Sequence, residues 1–217
     1  TFTSSCSEPA LQKEVGADKD GHTAPTEHTL KFQATVANEL DLQDQADFED
    51  ANRGLVARAD EVKVTDATGK VVWDLGQYDF VKGEAPGSVN PSLWRQAKLN
   101  NIHGIFKVTE GIYQVRGYDL SNLTIIEGKT GWIIVDTLTA TETAKAAMDL
   151  ARKHLDNEDN KKPIKAIIYT HSHIDHFGGV LGVISSEEAE KNKVRVIAPH
   201  GFTEEATGEN ILVGLAM

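Results

Sequence analysis

The apolar run Ala166-Ile167-Ile168-Tyr169 leads without a break into Thr170-His171-Ser172-His173-Ile174-Asp175-His176-Phe177-Gly178-Gly179. No other segment constrains the fold as much. An apolar run that ends in a polar loop and a glycine pair is the pattern of a buried strand, a tight turn and a helix start. Gly178 and Gly179 let the next helix begin close against the sheet. The loop carries His171, His173, Asp175 and His176 within six residues. Imidazole and carboxylate suit zinc and similar borderline ions. One strand-to-helix loop can aim His171 and His173 at one ion and Asp175 and His176 at a second, because a two-metal site holds its ions only ~3.5–4 Å apart. Any one of these histidines alone reads as an ordinary loop or core residue. The joint pattern reads as a metal site.

The rest of the chain supplies an α/β frame for that loop. Residues 1–30 are polar and are read as an extended arm. Asp44 to Arg58 reads as a helix, with Ala46, Phe48, Ala51, Leu55 and Val56 on one stripe, interrupted by Gly54. A hairpin follows, Glu61–Val64 and Val71–Trp73 about a turn at Asp66–Gly69. Tyr78 to Val89 reads as loop, and Pro91 opens a short helix to Asn100. From residue 102 short strands dominate, near 105–108, 112–116, 123–127 and 132–136. Thr139 and Glu142 have the spacing of a capping box. Ala144, Ala147, Met148, Ala151 and Leu155 then form one apolar helix face. A strand at 164–169, a helix near 186–192, a strand at 194–198 and a helical stretch from Phe202 to Met217 complete the pattern. Strands alternating with helices imply a layered α/β fold.

Composition narrows the function. The 217 residues carry a net charge of −11, which argues against a broad basic field for nucleic acid or an anionic membrane. The apolar stretches are strand-sized and fall short of the ~18 residues that span a bilayer. The single cysteine, Cys6, excludes an intrachain disulfide and a four-cysteine zinc site.

The segment His171–His176 resembles the HxHxDH motif of the metallo-β-lactamase superfamily. The resemblance implies an αββα sandwich, of which residues 102–217 would be the first part, and a hydrolase site with two zinc ions. Trp132-Ile133-Ile134-Val135-Asp136-Thr137, an apolar strand ending in an acid, is a second likeness. Asp136 can accept a hydrogen bond from a ligand histidine and fix its tautomer. Thr170, directly before the motif, is grouped with Asp136 as a supporting residue. The reacting group is then a water rather than a side chain.

The likeness narrows to the alkyl sulfatases of the linear alkyl-sulfate type. It is carried by Leu93–Asn100, His103–Val108, Ile112–Asn122, Thr170–Gly182 and Ile197–Phe202, and covers the chain from about residue 44 onward. It implies an alkyl sulfate substrate of the dodecyl sulfate type, cleaved to alcohol and sulfate. It also implies a homodimer in the full-length protein and a periplasmic or secreted location after removal of a signal peptide. Residues 31–101 would be an N-terminal extension. The family is much longer than this chain and takes further ligands from downstream acids and a histidine. The remainder of the polypeptide, or a second chain, is therefore expected to complete the site, and an apolar face is expected to lie uncovered. Other hydrolases of this fold (thioesterase, lactonase, β-lactamase) and an inactive fragment are the alternatives. His200 is read as a loop residue or a recruited ligand, and His103 as structural or pocket-lining. His22 and His28 are read as surface residues. Arg116, Tyr118 and Asn122 resemble family residues near the pocket.

Overall fold

Seven strands lie in one sheet whose order follows the chain almost without exception. The computed structural model describes residues 23–156 and 161–213. Cys6, His22 and most of the polar arm lie outside the described residues. Among the described residues two compact units are formed, one from residues 23–43 and 83–95, the other from 44–82, 96–156 and 161–213.

In the first unit, residues 27–30 belong to a helix and not to the extended arm read from the sequence: α1 spans Glu27–Glu39. Thr26 caps it, its hydroxyl oxygen accepting from the Thr29 N–H at 3.1 Å. None of its residues is buried. A cap and good helix formers can start such a helix, but without an apolar stripe the sequence gives little sign of it.

The second unit holds the sheet. Helix α2, Ala46–Asn52, is followed by strand β1, Leu55–Ala57. This corrects the expected helix over 44–58. Gly54 sits at φ +75°, and a Cβ there would lie 2.2 Å from the Lys107 carbonyl oxygen. The chain turns at this point and continues as a strand. The hairpin is as read, with β2 at Lys63–Thr65 and β3 at Val71–Asp74. The Asp66 carboxylate holds its turn by accepting from the Thr68 and Lys70 N–H groups. A 3-10 turn, Leu75–Tyr78, ends where the expected loop begins. Helix α3, Pro91–Asn100, begins at the proline.

Strands β4 (Gly104–Thr109), β5 (Ile112–Arg116), β6 (Leu123–Glu127) and β7 (Trp132–Val135) form an antiparallel meander, with β1 on the outer edge of β4. Helix α4, Thr141–Leu155, crosses over to β8, Ile164–Ile168, which is parallel to β7. Short helices α5 (Ile174–Phe177), α6 (Val180–Val183) and α7 (Ser186–Lys191) lead to the parallel edge strand β9, Arg195–Ile197. Helix α8, Phe202–Thr207, runs into a π-helix, Gly208–Val213.

Side chains alternate across this sheet. Leu123, Ile125, Trp132, Ile134 and Ile167 are fully buried and form one core with Ala144, Ala147, Met148 and Ala151 of α4. The opposite face is also apolar. Ile112, Ile126, Ile133 and Ala166 are in register across it and only half-buried. Val108 and Ile197 are 55% and 39% exposed.

The expected capping box of Thr139 and Glu142 is replaced by a longer-range device. The buried Asp119 carboxylate accepts from the Thr139 N–H at 3.0 Å, the Thr139 hydroxyl at 2.7 Å, the Ala140 N–H at 3.4 Å and the Thr143 hydroxyl. An anion at a helix N-terminus satisfies free N–H groups and is favoured by the helix dipole.

The glycine pair acts as its spacing suggests. A Cβ on Gly179 would lie 2.2 Å from the Thr137 carbonyl oxygen and 2.8 Å from the Ala144 Cβ. Gly179→Ala is therefore expected to destabilise the fold by about 1–3 kcal/mol, since backbone on one side and α4 on the other must both give way. Thermal unfolding of the variant checks this, and an unchanged midpoint would contradict the packing.

Candidate metal centre

The histidine loop begins where β8 ends, at the carboxyl edge of the parallel strands. Such edges carry binding sites in open α/β sheets. Tyr169 anchors the start of the loop. Its ring stacks on Phe202 at 5.4 Å and tilts against Phe177 at 6.0 Å. Burial pushes its phenol above the usual tyrosine range.

The three imidazoles gather into one cluster. The His171 ring centroid is 4.0 Å from that of His176 and 4.6 Å from that of His173. Asp175 Oδ2 is 3.2 Å from His176 Nε2. The four residues singled out from the sequence thus lie together on one short stretch of backbone. The His176 N–H donates to the His173 carbonyl, and the His176 carbonyl accepts from the Thr137 N–H at 2.8 Å. The Ser121 hydroxyl donates to the Asp175 carbonyl, tying the loop to the segment after β5.

Asp136 lies beneath the cluster and is buried. Its Oδ2 is 2.7 Å from His176 Nδ1. Its Oδ1 accepts from the Thr170 N–H at 2.9 Å, and the Thr170 hydroxyl donates to the same carboxylate at 2.8 Å. Thr170 Oγ1 also lies 2.9 Å from His171 Nδ1. With that hydroxyl donating to Asp136, its lone pair is left for a proton on His171 Nδ1. Both histidines then present Nε2 with its lone pair free. Asp136 reaches this position from a left-handed backbone conformation, φ 58°, which aspartate tolerates better than most residues. Leu138 shares it at φ 64°, with its side chain fully buried.

The donor set fits a cation. A proton on His176 Nδ1 leaves the Nε2 lone pair facing a carboxylate oxygen 3.2 Å away. Two acceptors in contact repel unless a positive charge lies between them. Among the described residues, no group of three or more His, Cys, Asp or Glu side chains already stands in position around one ion. His171, His173, Asp175 and His176 supply donors on one side of such a site.

The remaining sequence candidates lie elsewhere. His103 is structural: its ring nitrogens sit 3.2 and 3.0 Å from the Asn101 and Ala59 carbonyls. His200 occupies an exposed turn after β9, and His28 is exposed on α1. Tyr118 is buried in the core, where burial pushes its phenol upward. Arg116 lies over the Phe106 ring at 4.5 Å, and burial lowers its guanidinium below the usual range. Arg116 and Asn122 both line a cleft of about 470 Å³ with Trp73, Leu75, Tyr78 and Leu120. Leu120 and Asn122 face this cleft from either side of Ser121, which bonds to the histidine loop.

One residue near the cluster has no signal in the motif. Glu209, in the π-helix, places Oε1 3.4 Å from His173 Nε2.

Residues 116–215 match the family described as the metallo-beta-lactamase superfamily. An (R)-specific secondary-alkylsulfatase from a Pseudomonas species is 51% identical over 190 residues, covering 87% of this chain and 28% of that protein. The alkyl/aryl-sulfatase BDS1 of Saccharomyces cerevisiae is 48% identical over 190 residues, covering 87% of this chain and 29% of its own length. The solved structure of the stereoselective inverting sec-alkylsulfatase Pisa1 from a Pseudomonas species superposes with a TM-score of 0.81 at 49% identity, covering 89% of this chain and 30% of that one. This chain is similar to alkylsulfatases over most of its length, and to the metallo-beta-lactamase superfamily over residues 116–215. It spans under a third of the length of the curated alkylsulfatases that it matches at such identity. The fold expected from the histidine motif is the fold found, and the alkylsulfatase likeness extends through the N-terminal elements as well as the loop.

Proposed function

We propose that the protein containing this chain hydrolyses alkyl sulfate esters to an alcohol and inorganic sulfate, and that it needs zinc to do so. The observation that carries the reading is the cluster of His171, His173, Asp175 and His176 above Asp136, in a chain about half identical to alkylsulfatases. Two zinc ions, when bound, would acidify a water and polarise the sulfate oxygens. His171 and His176 would offer Nε2 to these ions, oriented through Thr170 and Asp136. Asp175 would supply an anionic oxygen beside His176. The remaining ligands would come from further residues of the polypeptide or from a second chain, which would also cover the half-buried outer face of the sheet. The cleft beside Asn122 gives an alkyl tail a recess lined by Trp73, Leu75, Tyr78 and Leu120, within the size range of small-molecule sites. Dimerisation and export to the periplasm or medium are part of the same proposal and rest on the family likeness.

The test is an assay of the zinc-loaded protein on primary and secondary alkyl sulfates, on a thioester and on a lactone. Alkyl sulfate cleavage should vanish on chelation and return with zinc. Turnover of the thioester or lactone with none of the sulfates would overturn the assignment.

A further inference from the structure

We propose that Glu209 is a positioning residue for His173, holding the imidazole so that Nδ1 is the nitrogen offered to a metal. The inference rests on the metal-site reading above and adds a third supporting oxygen to it. Each imidazole of the cluster has a ring nitrogen beside an oxygen from outside the proposed ligand set. For His176 it is Nδ1, 2.7 Å from Asp136; for His171 it is Nδ1, 2.9 Å from Thr170. For His173 it is the other nitrogen, Nε2, 3.4 Å from Glu209 Oε1. A carboxylate beside one ring nitrogen draws the proton there and leaves the lone pair on the second, which fixes tautomer and ring orientation and raises ligand basicity. His173 is the residue that most needs such help. Its side chain is 60% exposed, against 21% for His176, and it lies outside the reach described for Asp136 and Thr170.

The position of Glu209 is set by packing and not by chance proximity. Phe202, at the start of α8, stacks on Tyr169 at 5.4 Å and meets Phe177 edge-on at 5.2 Å. These two aromatic residues bracket the histidine loop. Ala206 is buried one turn further on, and Asn210 donates to its carbonyl at 2.8 Å. The helix then widens into the π-helix Gly208–Val213, which carries Glu209. Single π turns are rare and recur at functional sites, because the wider turn re-aims a side chain. Glu209 also brings a third carboxylate, after Asp136 and Asp175, to a cluster whose imidazoles are neutral when they bind metal, which favours a doubly charged ion.

The experiment is a zinc titration of the protein against a chelating dye, for the unaltered protein, Glu209→Ala, Glu209→Gln and His171→Ala. Cobalt(II) absorption of each is recorded in parallel, along with the unfolding midpoint of the metal-free forms. Glu209→Ala should weaken one zinc by about 10–100-fold and shift the cobalt spectrum, with an unchanged metal-free midpoint. Glu209→Gln keeps an oxygen that can accept and should recover most of the affinity. Zinc affinity in Glu209→Ala within twofold of the unaltered protein would overturn the inference. So would a loss matched by an equal fall in metal-free stability in both Glu209 variants. If His171→Ala binds zinc as tightly as the unaltered protein, the metal-site reading itself fails, and Glu209 falls with it.

Discussion

Asp175→Ala is expected to leave the protein folded and to remove nearly all of the alkyl sulfate hydrolysis proposed above. Asp175 contributes no core packing, and its carbonyl, which holds Ser121, is untouched by the change. What disappears is the anionic oxygen 3.2 Å from His176 Nε2. His176 then keeps its Asp136 partner but has no carboxylate with which to share a cation. Loss of one ion forfeits several kcal/mol of charge stabilisation, about a thousandfold in rate at ~1.4 kcal/mol per factor of ten. Metal analysis of the purified variant should show one zinc fewer than the unaltered protein. Full activity at ordinary zinc concentrations would refute a two-ion mechanism. Lost activity with undiminished zinc would mean that Asp175 serves the reaction without holding metal.

Asp119→Ala is expected to give the largest loss of stability among single polar substitutions at the described residues. The buried carboxylate accepts hydrogen bonds from two backbone N–H groups and two threonine hydroxyls at the head of α4, and also from the Leu120 N–H. Alanine leaves these donors in a water-poor site, at about 1–3 kcal/mol for each one that finds no substitute. The cap of a helix that packs on the whole sheet goes with them, a further ~1 kcal/mol. A total of about 4 kcal/mol, at ~2–4 °C per kcal/mol for a chain of this size, lowers the unfolding midpoint by roughly 8–16 °C. Asparagine should restore little, because its NH2 group would face donors. Thermal unfolding by circular dichroism checks both variants; a fall of under 3 °C would show that solvent or neighbouring groups replace the carboxylate.

Strands β4 to β9 were legible because each is a short apolar run bounded by glycine, proline or charge, and a half-buried strand imposes that pattern on its own residues. The histidine loop was legible for the same local reason: ligands, strand and glycines are contiguous. Asp136 was legible as the end of an apolar strand. Features that depend on distant contact were not. Ala51, Leu55 and Val56 continue a helical stripe, and only the approach of Gly54 to Lys107 turns that stretch into β1. The cap of α4 is supplied by Asp119, from the segment between β5 and β6, so Thr139 and Glu142 pointed to a local partner that the fold does not use. Glu209 meets His173 through the stacking of Phe202 on Tyr169, and no spacing near the motif encodes that.

The order of the sheet bears on how the chain is assembled during synthesis. From β5 to β9 every strand pairs with the one made just before it, while β1 waits for β4 until the β2–β3 hairpin has been made. Over that run a polypeptide emerging amino-terminus first meets each partner already waiting. Neighbours close in sequence close small loops, which keeps the search for pairing short. The strand and turn that seat Gly178 and Gly179, residues 132–140, precede the histidine loop, so the bed is laid before the ligands leave the ribosome. Glu209 comes later still, so the oxygen beside His173 is synthesised after those beside His171 and His176.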